Sequence, residues 1–315
     1  MTLTAGPRDA WFLTGATASG KTEIGLRLAE LLGAEIVSLD SMAVYRGMEI
    51  GTAKPTPAER ARIPHHLVDL LEPNQEYSLA TYVEDASRTV REIAARGRQA
   101  LFVGGTPLYL KALLRGIFQG PAADWELRRQ FQAELDRSGG DALHRRLQSV
   151  DEASAARLHP RDHRRVIRAL EVWEKTGQSI TRLQQQFEHS RPAEACRVFV
   201  LTWPAEELAR RIDERVERMF AAGFVEEVRE LSRVYGKLSR TASQALGYRE
   251  VIEHLAGQRD LPATVELVKL RTRQFAKRQR TWFRSLSECR NVPMSPGFEA
   301  ARAAREIAAA GAKVR

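Results

Sequence analysis

An apolar run, Trp11-Phe12-Leu13-Thr14, leads straight into Gly15-Ala16-Thr17-Ala18-Ser19-Gly20-Lys21-Thr22, and Glu23 to Leu32 follows with Ile24, Leu28 and Leu31 at helical spacing. Strand, Gly-x-x-x-x-Gly-Lys-Thr loop and helix in that order make a cradle for phosphate. Gly15 and Gly20 let the backbone turn inward so that N–H groups face an anion, at the positive end of the new helix. Lys21 is then placed for the outer phosphate oxygens and Thr22 for a magnesium ion. This order predicts an α/β fold with a parallel sheet flanked by helices.

A chain of 315 residues is long enough for two domains. Its formal net charge of +9 points to a polyanionic partner, nucleic acid or an acidic membrane surface, unless the protein is only a soluble basic one. Cys196 and Cys289 are the only cysteines and stand far apart, which excludes a disulfide framework or zinc module and fits a reducing cytosol. Met1 to Ala10 has no apolar segment, and no later run approaches the ~18 residues of a membrane span, so a cytoplasmic protein without a membrane role is expected.

Glu35 to Leu39 reads as a second strand ending at Asp40-Ser41, and in an open parallel sheet ligands lie beyond the carboxyl ends of strands. Asp40 should therefore project toward the phosphate loop, or else cap a helix or back up a magnesium ion. Gly47, Gly51, Pro55 and Pro57 mark an ordered loop over the site. A third strand, Ala100 to Val103, ends in Gly104-Gly105-Thr106, where most ATP-hydrolysing phosphate-loop proteins carry a carboxylate. The glycine argues against a motor or ordinary ATPase. Thr106 is either a contact or a plain turn residue, and His65-His66 reads as a loop or core feature, not a metal site.

From residue 117 to 195 the chain is helical and arginine-rich without a strand signal, until Arg197 to Trp203 reads as another buried strand. We thus expect a core of residues 1–116 and 196–297, a helical insertion at 117–195 and a peripheral tail at 298–315. Two helices have split faces. Over Val268 to Leu286, Val268, Phe275, Trp282 and Leu286 fall on one side, opposite Arg273, Lys277, Arg280 and Arg284. In the insertion, Val166, Leu170 and Trp173 oppose Arg161, Arg164 and Arg168. Each strip is either a solvated face or a set of phosphate contacts, and the pair suggests a clamp on one RNA by a monomer.

These residues closely resemble the tRNA dimethylallyltransferases (tRNA isopentenyltransferases) of the bacterial type. The phosphate loop matches the family's first motif, and Asp40-Ser41-Met42-Ala43-Val44-Tyr45-Arg46-Gly47 through Lys54-Pro55 matches its most diagnostic one. Val103 to Thr106, Arg168 to Val172, Gly247-Tyr248-Arg249 and Lys277 to Arg284 also resemble family motifs. Ala43 departs from a frequent glutamine and Pro107 from a frequent glycine. The chain ends without the Cys/His module of many eukaryotic relatives.

The resemblance implies transfer of a dimethylallyl group from dimethylallyl diphosphate to N6 of the adenosine next to the anticodon of tRNA. It implies that Gly15, Ala16, Thr17, Ala18, Ser19, Gly20, Lys21 and Thr22 hold the diphosphate with Arg215 and a magnesium ion on Thr22. Asp40 is implied as the general base that contacts the adenine amine, within a tRNA-contacting set that includes Ser41, Met42 and Ala43. Thr106 and Arg128 are implied to touch the RNA, as are Arg164, Arg165 and Arg168, then Gln244, Gly247, Tyr248 and Arg249, then Lys277, Arg278, Arg280, Trp282 and Arg284. The alternatives to this reading are a small-molecule kinase on the same loop and a nucleotide-gated RNA-binding protein without covalent chemistry.

Overall fold

The structure, a computed structural model, describes residues 9–118, 120–184 and 190–314. Parts of the N-terminal stretch (1–8), the break at 116–121 (Gln119), the insertion (185–189) and the tail (Arg315) lie outside the described residues. The chain divides into two compact units, Met1–Leu114 with Ser190–Arg315, and Arg115–His189.

In the first unit, β1 (Trp11–Gly15), α1 (Lys21–Leu32), β2 (Ala34–Ser38), α2 (Pro57–Arg62), β3 (His65–His66), α3 (Leu79–Ala95), β4 (Gln99–Gly104) and α4 (Pro107–Arg115) come in order. The second unit carries α5 (Trp125–Ser138), α6 (Gly140–Val150), α7 (Glu152–Arg157), α8 (His163–Thr176) and α9 (Ile180–Leu183). The chain then returns to the first unit with β5 (Val198–Thr202), α10 (Ala205–Ala221), α11 (Phe224–Tyr235), α12 (Arg240–Ser243), α13 (Tyr248–Leu255), α14 (Leu261–Arg284), β6 (Cys289–Pro293) and α15 (Ala300–Ala312).

The sheet has six parallel strands in the order β3-β2-β4-β1-β5-β6. β1 is central and buried throughout, with Phe12 opposite Phe102 on one side and Val198 on the other. A strand covered on both faces needs no polar alternation, which is why β1 and β5 read as nearly continuous apolar runs. Trp11, Leu13, Ile24, Leu28, Leu101, Phe199, Ile212, Val268 and Ile307 join strands and helices in one core.

Several expectations need correction. Leu31 is 53% exposed, because α1 turns Ile24, Gly25, Leu28 and Ala29 inward. The segment beyond Phe298 is not peripheral. Ala300, Ala303, Ala304 and Ile307 are buried in the main core, and a Cβ on Gly311 would stand 2.1 Å from the Trp11 ring. Its small side chains allow helix α15 to approach closely, so alanine richness here marks packing. β6 and β3 were not foreseen. Cys-Arg-Asn-Val-Pro has no alternation to find, and β3 is only two residues, with His66 Nε2 2.7 Å from Glu35 Oε2 and His65 Nδ1 2.7 Å from the Ile63 carbonyl.

The stripe that α14 buries is Thr264, Val268, Thr272, Ala276, Gln279 and Phe283, one position away from the expected Phe275 and Trp282, which are half-exposed. Three polar residues lie on that stripe, so hydrophobicity alone points to the wrong meridian. In the second unit Phe131, Leu143, Leu147, Val166, Leu170 and Val172 form a separate core, while Trp173 stays half-exposed.

Candidate active site

The loop after β1 is built on conformations that few side chains tolerate. Gly15 has φ +151, and a Cβ there would sit 2.8 Å from the Leu201 carbonyl oxygen; Gly20 has φ +90. Ala18 takes φ +62 without being glycine, a strained conformation held by its neighbours. Those neighbours come from α10: Arg211 Nε donates to the Ala18 carbonyl (2.9 Å) and Arg215 Nη1 to Thr17 Oγ1 (2.9 Å). Trp203 Nε1 donates to the Ser19 carbonyl (3.0 Å), leaving the buried Ser19 hydroxyl without a hydrogen-bond partner among the described residues.

Lys21 Nζ donates to the carbonyls of Gly15 (3.1 Å) and Ala16 (2.8 Å). Desolvation pushes its pKa down to about 7, the Arg215 charge pushes the same way, and Asp40 opposes both. Burial also lowers Arg215, again with Asp40 opposing. One carboxylate thus acts on the two cations that would meet a diphosphate. Asp40 Oδ1 accepts the Met42 N–H (2.8 Å), so that oxygen holds a turn, and Oδ2 has no hydrogen bond among the described residues.

The end of β4 leaves no room for a second acid beside Asp40. A Cβ on Gly104 would lie 2.3 Å from the Leu39 carbonyl group, so the backbone leaving β2 occupies the place where a carboxylate would stand. Thr106 N–H donates to the Leu39 carbonyl (3.1 Å) and its Oγ1 accepts the Ser41 N–H (3.1 Å), which fixes the turn that carries Asp40. Pro107 starts α4, where its missing N–H costs nothing.

The loop from Ser41 to Pro55 is ordered from beneath. The buried Lys54 ammonium donates to the Tyr45 carbonyl (2.7 Å), Glu49 Oε1 (2.7 Å) and Asp69 Oδ1 (2.6 Å). The Glu227 carboxylate accepts the N–H groups of Glu49 (3.0 Å), Ile50 (2.7 Å) and Gly51 (3.3 Å) and the Tyr248 hydroxyl (2.6 Å). Tyr248 is fully buried, and a Cβ on Gly51 would stand 2.3 Å from its ring. Tyr248, expected as an RNA contact, stands as a post under this loop and also lines the cavity of the site.

A cavity of about 630 Å³ joins these parts, lined by Thr17 to Thr22, Asp40 to Ala43, Gly104 to Thr106, Arg215, Gln244 and Arg278, among others. Ala43 is buried and its carbonyl accepts the Asp69 N–H (3.1 Å). Thr22 is exposed on the first turn of α1, and its hydroxyl makes no hydrogen bond among the described residues. Those residues contain no cluster of three or more His, Cys, Asp or Glu fit for a metal. One free hydroxyl and no carboxylate cage suit a magnesium ion that keeps its waters and takes its other ligands from phosphate oxygens.

The arginines divide into two kinds. Arg128 Nε and Nη2 donate to the buried Glu171 (2.9 and 2.8 Å), and Arg168 also pairs with Glu171 while donating to the Pro121 carbonyl (3.0 Å). Arg165 stands 3.4 Å from Asp162, Arg249 Nε donates to Glu253 (2.9 Å) and Arg273 pairs with Asp213. Carboxylates balance the charge at each of these positions. Arg164, Lys277, Arg280 and Arg284 make no ion pair among the described residues, and Gly247, at φ +89, is a backbone hinge into α13.

One site residue was missed. Gln279 is 4% exposed; its Oε1 accepts the Thr17 N–H (2.9 Å) and its Nε2 donates to the Gly105 carbonyl (2.6 Å). A polar residue at the spacing of Val268, Thr272, Ala276 and Phe283 is the signal that could have found it.

A phosphate loop on a parallel sheet, with the water-positioning carboxylate of an ATPase excluded at β4, defines an α/β phosphate-loop protein of a kind other than the motors. The model of the family described as IPP transferase matches residues 43–286, and that of isopentenyl transferase matches residues 8–67. The chain belongs to the IPP transferase family. A tRNA dimethylallyltransferase of Rhodopirellula baltica is 48% identical, with 90% of this chain and 87% of that protein covered. One of Geobacter metallireducens is 46% identical over 87% of this chain and 89% of its own. Among solved structures, the full-length tRNA isopentenylpyrophosphate transferase of Bacillus halodurans superposes with a TM-score of 0.71 at 34% identity, covering 98% of this chain and 97% of its own.

Proposed function

We propose that this protein is a tRNA dimethylallyltransferase, which transfers a dimethylallyl group from dimethylallyl diphosphate to N6 of the adenosine next to the anticodon and releases diphosphate. The observation that carries the reading is the placement of Asp40 on the cavity wall shared with Lys21 and Arg215, close enough to bias the charge of both.

An exocyclic adenine amine is a poor nucleophile, whereas an allylic diphosphate ionises readily once its leaving charge is stabilised. The loop N–H groups, Lys21 and Arg215 stabilise the departing diphosphate; preorganised donors of this kind are worth about 3 kcal/mol each. As the bond between the allylic carbon and oxygen breaks, the adenine nitrogen forms a new bond to that carbon, and Asp40 takes the proton the amine loses. Thr22 would hold a magnesium ion, which when bound neutralises diphosphate charge. A stacked base cannot reach such a site, so the target adenosine is flipped out into the cavity. Ser41, Met42, Ala43, Thr106, Gln244 and Arg278 line the same space and are the proposed contacts of the flipped nucleotide. Lys277, Arg280, Trp282 and Arg284 on α14, with Arg164 and Arg165 on α8, are proposed to meet the anticodon stem-loop.

No helix among the described residues is long and apolar enough to cross a membrane, and we place the reaction in the cytoplasm, carried out by a monomer. Incubation with unmodified tRNA and labelled dimethylallyl diphosphate tests the reading: label should enter the RNA at one adenosine. ADP formed from ATP with no label in RNA would favour a kinase instead.

A further inference from the structure

The Ala16–Thr17 peptide is gripped at both ends. Its carbonyl accepts Lys21 Nζ (2.8 Å) and its N–H donates to Gln279 Oε1 (2.9 Å), so one rigid amide plane connects the ammonium to a side chain on α14. Nε2 of Gln279 is itself fixed by the Gly105 carbonyl (2.6 Å), and a Cβ on Gly105 would lie 2.8 Å from that nitrogen. One partner can only donate and the other can only accept. A buried amide meets both, while a carboxylate would press a second acceptor against the Gly105 carbonyl and a thioether offers only a weak acceptor and no donor.

Gln279 is nearly enclosed and sits on the buried stripe of α14 next to the outward Lys277, Arg278 and Arg280. A residue needed only to fill this space could be leucine or methionine. We propose that Gln279 is a positioning residue of the transfer reaction: it sets the plane of the Ala16–Thr17 peptide and thereby the place of the Lys21 ammonium that meets the diphosphate. The inference rests on the reading of this cavity as a prenyl diphosphate site. It concerns the donor side only, so RNA affinity should not depend on the amide.

The test measures inorganic diphosphate binding in the presence of magnesium by calorimetry, the KM for dimethylallyl diphosphate and for tRNA, and RNA affinity against salt, in wild type, Gln279→Met and Gln279→Glu. Losing two buried hydrogen bonds should weaken diphosphate binding about tenfold in Gln279→Met and raise the donor KM alike, with the RNA KM and salt slope unchanged. Gln279→Glu should lose as much or more, and being near-isosteric it carries the test if Gln279→Met does not fold. Wild-type diphosphate affinity and donor KM in a folded variant would overturn the inference alone. Equal losses of donor and RNA binding would also overturn it, assigning the residue to general stability. A wild-type protein that binds no diphosphate would overturn the functional reading and this inference with it.

Discussion

Arg128 and Arg168 of the second unit and Lys277, Arg280 and Arg284 on α14 of the first are all cations carried on helices, yet the two sets use charge in opposite ways. In the second unit, Arg128 and Arg168 converge on Glu171, whose side chain is wholly buried and also accepts the Asp124 N–H (2.7 Å). In the first, Lys277, Arg280 and Arg284 have no carboxylate partner among the described residues, while Lys21 and Arg215 share the cavity with Asp40. A cation tied to a buried anion holds a fold; a cation without one is available to a phosphate. Helix placement alone does not separate the two sets; the position of a carboxylate does.

The comparison breaks first at Asp40. Asp40→Asn should lower the transfer rate by about 10²–10⁴-fold and leave tRNA affinity within a few-fold, as read by single-turnover transfer and filter binding. Loss of RNA binding in that variant would show that Asp40 holds the fold as Glu171 does.

At Glu171 the expectation is inverted. Glu171→Ala leaves two arginines with an emptied pocket and should cost about 3–5 kcal/mol of stability in the second unit, measured by denaturant unfolding. Burial pushes the Glu171 carboxyl up, but hydrogen bonds from Arg128, Arg168 and the Asp124 N–H outweigh it, so its pKa lies below the ordinary value. A lowered carboxylate contributes stability that is present above its unfolded pKa and is lost as pH falls through the folded one, so acid should weaken this unit.

Lys21 gives a further contrast, since its pKa of about 7 leaves much of it neutral just above neutrality in the free protein. Diphosphate favours the ammonium form, so binding should take up a proton, and affinity should fall up to about tenfold per pH unit above 7. Calorimetry in buffers of different ionisation enthalpy measures the uptake, and no uptake would mean that Lys21 is already charged. The smallest effect belongs to the outward face of α14. Arg280→Ala with Arg284→Ala should flatten the slope of log affinity against log salt by roughly two, with unfolding stability changed by less than about 0.5 kcal/mol. An unchanged slope would make this face merely solvated.

The loop from Gly15 to Thr22, strands β1, β2, β4 and β5 and the all-helical character of the second unit could be read from residue order. Each rests on local causes: glycines where φ must be positive, short mainly apolar runs where both faces are covered, and helical periodicity without a strand signal. The position of Asp40 was legible for the same reason, because a short strand ends there and the parallel topology sends its end toward the phosphate loop.

What the sequence determined by itself was therefore the phosphate cradle, the parallel α/β class and the acid beside the loop, since each follows from contacts within a few residues or from periodicity. Only the tertiary structure decided which polar side chains are spent internally: Gln279 against Thr17 and Gly105, Glu227 beneath residues 49–51, Tyr248 against Glu227, and Glu171 between two arginines. It also turned the alanine-rich segment after Phe298 into a helix against the main core. The reason is physical. A hydrogen bond or a close backbone approach between residues tens to hundreds of positions apart leaves no periodic trace, and the same arginine or glutamine is written whether it faces a phosphate or the carboxylate or carbonyl of its own chain.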